Sequence, residues 1–172
     1  MVDPGAFAAL LAAARTDRLG PVGGRSRRAD GSYDQRSALG GPSLWGAVTF
    51  ALGLDKLGRG HPWLDPEHGP RSVRDDGSLL PVVAVSGAMI GVPRALWHQL
   101  GGFDETFFLY GEDVDLSLRA ARRGWQPTLV TGAGYQHIGG ASSASTITRD
   151  ILLYRGKAEL YRRHLTRPAA EA

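Results

Sequence analysis

The chain has no cysteine, which excludes disulfides and thiolate metal centres. Lysine is almost absent as well: Lys56 and Lys157 are the only two, and arginine supplies the rest of the basic charge. The net charge is +3, and without a basic patch interleaved with aromatics the sequence offers no nucleic-acid surface. No apolar run approaches the ~20 residues needed to span a bilayer, and the N-terminus lacks a signal-peptide pattern. A cytoplasmic location is the resulting expectation. What is present is a hydrophobic fraction of 42% and a charged fraction of 22% over 172 residues. That is enough for one domain with a core and argues against wholesale disorder.

Helical and extended patterns alternate along the chain. Pro4 to Ala14 reads as an Ala/Leu-rich helix, with Asp3 as its cap and Pro4 at its first position. "GPVGG" reads as a short edge strand, and Arg25 to Gly41 as a long polar surface loop. Pro42 to Leu57 carries Leu44, Trp45, Val48, Ala51 and Leu52 at helical spacing, and a second irregular stretch follows. Two long loops in a compact domain point to binding segments. "PVVAVSGAMIGV", from Pro81, reads as one continuous buried strand. Gly87 and Gly91 within it mark a close approach of ligand or backbone, or a bulge. "PRALWHQL" is a short helix stopped by Gly101 and Gly102.

The segment "FDETFFLYGEDVDLSLRAARRGW" carries the chemistry. Phe103, Phe107, Phe108, Leu109 and Tyr110 form an apolar cluster expected to fix the loop before the acids. Val114, Leu118 and Ala121 then recur at helical spacing, so a helix begins at Glu112 and stops at Gly124. Glu112, Asp113 and Asp115 in its first turn suit the helix dipole, and Asp115 with Arg119 forms an i, i+4 ion pair. Downstream, a strand over Thr128 to Thr131 leads into a Gly-rich loop with His137 beside Gly134, Gly139 and Gly140. Carboxylates with a neutral imidazole suit a divalent metal.

Residues Ala84 to Ser143 contain a G-A-x-x strand, then "GGFDETFFLYGEDVDLSLRAARRG", then a strand ending in "HIGGASS". In this order and spacing they closely resemble the C-terminal half of the family 2 inverting glycosyltransferases, in particular their rhamnosyltransferase-like bacterial branch. Pro4 to Gly31 and Thr148 to Leu165 resemble the family more loosely. The resemblance implies an α/β fold, a partial GT-A-type nucleotide-sugar transferase with a mixed sheet flanked by helices. It also implies that the N-terminal nucleotide-binding βαβ half, with its Asp-x-Asp metal motif, lies outside this chain. The expected organisation is a single truncated domain: 1–80 a linker helix and long loops, 81–143 the acceptor-side catalytic core, 144–172 a basic amphipathic helix.

By that resemblance Asp113 is the general base that takes the acceptor hydroxyl's proton, a role typically worth ~10²- to 10⁴-fold. Its place at a helix N-terminus would favour the ionised form. Glu112 would orient the acceptor, and Gly87, Ala88 and Asp115 would bind substrate. His137 would be a ligand of the divalent metal, Mg²⁺ or Mn²⁺, expected of the intact enzyme. The implied partners are a nucleotide-diphosphate sugar and a saccharide or lipid-linked acceptor. Little transfer is expected of the chain alone, and strands lacking neighbours would leave exposed sheet edges. Ile147, Ile151, Tyr154, Ala158, Tyr161 and Leu165 mark one face of the last helix. With its arginines and the Leu44 to Leu57 segment, this makes peripheral contact with the inner face of the plasma membrane a further expectation. Two other readings are a non-catalytic interaction module and a metal-dependent hydrolase built on Glu112, Asp113, Asp115 and His137.

Overall fold

A computed structural model describes residues 1–58, 61–137 and 146–165, with the backbone alone over 146–149. Gly139, Gly140 and the end of the Gly-rich loop lie outside the described residues, as does the side chain of Ile147. The chain is α/β, as expected. Its main sheet has four strands, β3 (Leu79–Pro81), β6 (Gln126–Gln136), β1 (Leu19–Arg27) and β5 (Ile90–Gly91), in that spatial order. β1 runs parallel to β6, whereas β5 on β1 and β3 on β6 are antiparallel, so the sheet is mixed. A second, two-stranded sheet pairs β2 (Ala38–Leu39) antiparallel with β4 (Ala84–Val85).

"GPVGG" therefore lies inside the sheet and not at its edge. Residues 20–26 are buried on both faces, and the glycines explain why. A Cβ on Gly23 would stand 2.6 Å from that of Val85, and one on Gly24 would stand 2.8 Å from the Met89 sulfur. The smaller sheet and the turn after it press directly on β1, and only glycine leaves the space. Because β1 starts in residues 1–80 and pairs with β6, the sheet runs across the division expected at residue 80. Nor is Arg25 to Gly41 a plain surface loop. Arg25–Arg27 finish β1, Asp34 and Ser37 are buried, and Ser37 Oγ accepts the Ser26 N–H at 2.7 Å.

Helix α1 (Ala6–Ala14) packs on β1 and β6, burying Ala6, Leu10 and Ala13 against Val22, Val130, Ala133 and Tyr135. Asp3 does not cap it. Gly5 is the residue before the helix, and the Asp3 carboxylate pairs with Arg27 while its N–H bonds to Gly134 O at 3.0 Å. Successive strand residues point to opposite faces, so Val22 serves the α1 side and Gly23 the side covered by β4 and α5 (Glu112–Arg122). There a second core joins Ala84, Phe107, Val114 and Leu160. Of the aromatic cluster before the acids, Phe107 alone is buried, and Phe108 is 85% exposed.

The expected single strand from Pro81 is broken into β3, β4, a 3₁₀ turn at Gly87–Met89 and β5. Ser86 Oγ accepts the Ala88 N–H at 3.3 Å and so caps that turn. Helix α4 (Arg94–Leu100) ends at Gly101 in the left-handed region, φ 70°, as the glycine stop predicts. The apolar segment near residue 50 is two helices, α2 (Leu44–Ala51) and α3 (Leu54–Leu57), divided at Gly53. α6 (Thr146–His164) closes the described fold. Its inward face is Gly156, Leu160 and His164, whereas Ala158 on the predicted stripe is exposed.

Candidate active site

The three acids of α5 take three different environments. Asp113 is partly buried, with Oδ2 accepting the Gly87 N–H at 2.9 Å and Oδ1 accepting the Val114 N–H at 2.8 Å. A Cβ on Gly87 would touch the Asp113 side chain at 3.5 Å, so the backbone of the 3₁₀ turn lies flat against the carboxylate. The bulge reading of Gly87 thus gives way to close approach of the Asp113 side chain. Burial pushes the Asp113 carboxyl above its ordinary value, against the two backbone hydrogen bonds that favour its charge. The helix position alone had suggested the opposite direction.

Glu112 is also shifted upward, by burial and then by the charge of Asp113. Its Oε2 is buried and has no hydrogen-bond partner among the described residues. Buried polar atoms are nearly always paired, so this oxygen beside Asp113 is an unmet acceptor. Asp115 departs from the expectation that it binds substrate. It is 1% exposed, Oδ2 is held by Arg119 Nε at 2.6 Å, and Oδ1 is held by His164 Nε2 at 2.9 Å. Burial alone would oppose its charge, but hydrogen bonds from His164 and Arg119 hold its carboxyl below the ordinary value. Arg119 continues to the carbonyls of Leu100 and Gly102, each at 2.9 Å, so Asp115 anchors α5 to the end of α4 and to α6.

Two positioning residues had no signal as chemistry in the sequence. Ser117 is fully buried, and its hydroxyl donates to Asp113 O at 2.8 Å while accepting the Val85 N–H at 3.4 Å. It ties the turn that carries Asp113 to the strand that leads into Gly87. Gly156 leaves no room for a side chain, because a Cβ there would run into the Tyr110 carbonyl. Tyr110 and Gly111 take positive φ, 69° and 99°, and this sharp approach aims the first turn of α5.

Gly87 and Ala88 line a cavity of about 570 Å³, with Phe7, Leu11, Ile90 and Tyr135 on its other sides. That is a ligand-sized volume; Asp113 is not among the lining residues and is joined to it through the Gly87 N–H. His137 follows the last residue of β6 and is exposed, its ring centroid 6.4 Å from that of Tyr135. Among the described residues no hydrogen bond joins it to the α5 acids, and no three His, Asp or Glu side chains gather as a metal site. The described residues therefore do not by themselves fit the divalent ion.

A carboxylate raised in pKa and bonded to a glycine that lines a ligand-sized cavity, with a second carboxylate beside it, coincides with the family pattern of the sequence. "Glycosyltransferase like family 2" matches residues 1–156. The chain belongs to this glycosyltransferase family. It is 38% identical over 135 residues to N-acetylglucosaminyl-diphospho-decaprenol L-rhamnosyltransferase from Mycobacterium tuberculosis, in strain CDC 1551 / Oshkosh and equally in strain ATCC 25618 / H37Rv. The match covers 78% of this chain and 42% of the relative. The mixed sheet with helices packed on it agrees with a partial GT-A-like fold.

Proposed function

We propose that this chain is the acceptor-side part of an inverting glycosyltransferase, with Asp113 as its general base. The observation that carries the reading is the Asp113 carboxylate, held at 2.9 Å by the N–H of Gly87, which lines the cavity, and raised in pKa by burial. A sugar hydroxyl is a weak nucleophile. The Asp113 carboxylate takes its proton as the acceptor oxygen bonds to the anomeric carbon. The bond from that carbon to the diphosphate oxygen breaks on the opposite face, and the nucleoside diphosphate leaves with the electron pair. A raised pKa makes the ionised carboxylate a stronger base. Glu112 Oε2 accepts from the acceptor and orients it, and Gly87 and Ala88 give the donor sugar room. Asp115 holds α5 in place and makes no contact with substrate.

A divalent ion, Mg²⁺ or Mn²⁺, would offset charge on the leaving diphosphate. Of the described residues, His137 is the candidate ligand, and no step here depends on it. The relative's name supports a polyprenyl-diphosphate-linked saccharide as acceptor and L-rhamnose as the sugar moved. Peripheral contact with a membrane would bring the enzyme to such an acceptor. The test is transfer of labelled rhamnose from its nucleotide-diphosphate donor to a polyprenyl-diphosphate N-acetylglucosamine by the protein that carries this chain. Labelled lipid product is expected. Donor hydrolysis without a glycosylated product would contradict the reading and favour a hydrolase.

A further inference from the structure

We infer that the outer face of α2, continued by Leu57 and Trp63, is a docking surface for a bilayer with anionic headgroups. This deepens the lipid-linked acceptor part of the proposed function and takes its purpose, though not its measurement, from that reading. α2 contains no charged residue. Leu44, Trp45, Val48 and Leu52 are 75, 48, 44 and 67% exposed and fall at i, i+1, i+4 and i+8, one side of the helix; Gly46, Thr49 and Phe50 are buried on the other. Leu57 and Trp63, 82 and 71% exposed, extend the patch. Exposed apolar patches of this kind on a soluble domain mark interaction sites.

The face is held firmly from behind. Phe50 stacks on Tyr154 of α6 at 4.6 Å, with the Lys157 ammonium 4.2 Å from its ring centre. Glu67 accepts from Ser43 N, Lys157 Nζ and Tyr161 Oη at 3.0–3.1 Å, fixing the start of α2 to the same helix. Trp45 Nε1 donates to Trp63 O at 2.7 Å, so its indole N–H is satisfied within the protein and the ring can leave water. Tryptophans so placed favour the level of the headgroups.

Charge selects the occupant. Lys56, its ammonium 5.8 Å from the Tyr154 ring centre, is exposed between Leu52 and Leu57 in the chain, where Asp55 is less exposed, and Arg155, next to Tyr154 on α6, is exposed as well. Apolar side chains rimmed by cations complement an anionic lipid surface. A second copy related by a two-fold axis would bring these like charges against each other. The foot is also joined to the site: the smaller sheet that leads into α2 through β2 leads into Gly87 through β4.

The test is co-sedimentation of the whole chain with phosphatidylcholine vesicles and with vesicles containing phosphatidylglycerol, without donor or acceptor. Binding is expected to the anionic vesicles and to weaken as salt rises. Leu52→Glu with Leu57→Glu is expected to reduce it at least tenfold, roughly the loss expected when two leucines no longer enter the lipid, with an unchanged circular dichroism spectrum. In a Trp97→Phe, Trp125→Phe background, brominated acyl chains should quench the remaining tryptophans. No binding, binding unaffected by the double variant, or a dimer in sedimentation velocity that the variant dissolves would overturn the proposal. Vesicle binding together with donor hydrolysis but no glycosylated product from the protein that carries this chain would refute the transferase reading and leave the docking surface standing.

Discussion

Asp113 shows how a single residue departs from what its position in the helix predicts. The dipole and two backbone N–H groups favour the carboxylate, yet the surrounding protein removes enough water to raise its pKa. The folded state therefore binds this proton more tightly than the unfolded chain does. Its charge costs stability at neutral pH, and that cost disappears as pH falls through the folded pKa. Asp113→Asn removes that charge, though its amide accepts only one of the two N–H groups, and its melting temperature relative to wild type is expected to be higher at pH 7 than in acid, as calorimetry across pH would record. Asp115 has the opposite sign. Its folded pKa is lowered, so its contribution is present above the unfolded value of about 3.9 and is lost as pH falls through the folded one. Thermal scans of Asp115→Asn should show a deficit at neutral pH that narrows below about pH 4.

At the scale of elements, the aim of α5 depends on contacts that the sequence reveals only in part. The helix itself, its start at the acids and its stop near Gly124 were legible from apolar spacing and glycine, and so was the glycine stop of α4. The glycines of β1 were not, because a glycine-rich run resembles an edge or a loop until Val85 and Met89 are seen filling the missing side chains' space. The inward face of α6 was hidden for a related reason: two of its three residues, Gly156 and His164, are not apolar, so periodicity pointed to a neighbouring stripe. His164 is inside because Asp115 bonds it. Of the site, Glu112, Asp113, Gly87 and Ala88 were legible through a family pattern, whereas Ser117 reads as an ordinary helix serine. Ser117→Ala removes both of its hydrogen bonds and is expected to cost ~1–2 kcal/mol of stability in denaturant titrations. Gly156→Val should push α6 from the Tyr110 carbonyl and cost roughly 1–3 kcal/mol by the same measurement. A melting profile unchanged by Gly156→Val would show that α6 does not bear on the loop leading to Glu112.

On the scale of the whole molecule, Gly87 joins the Asp113 carboxylate to a cavity beside the mixed sheet, while a helix hung from the smaller sheet presents an apolar face outward. No helix among the described residues is long and apolar enough to cross a membrane; the contact with lipid proposed above is assigned to that face. β5 pairs on one side with β1, and the cavity beside it opens between α1 and the turn at Gly87. The chain spans 42% of the length of the curated relatives it matches, so turnover is best measured in the protein that carries it. The decisive measurement is kcat for sugar transfer by Asp113→Asn, taken with the dissociation constant of the nucleotide-diphosphate sugar. If Asp113 is the base, kcat falls by about 10²- to 10⁴-fold while donor affinity stays within about twofold. Transfer at the wild-type rate by Asp113→Asn would contradict the account.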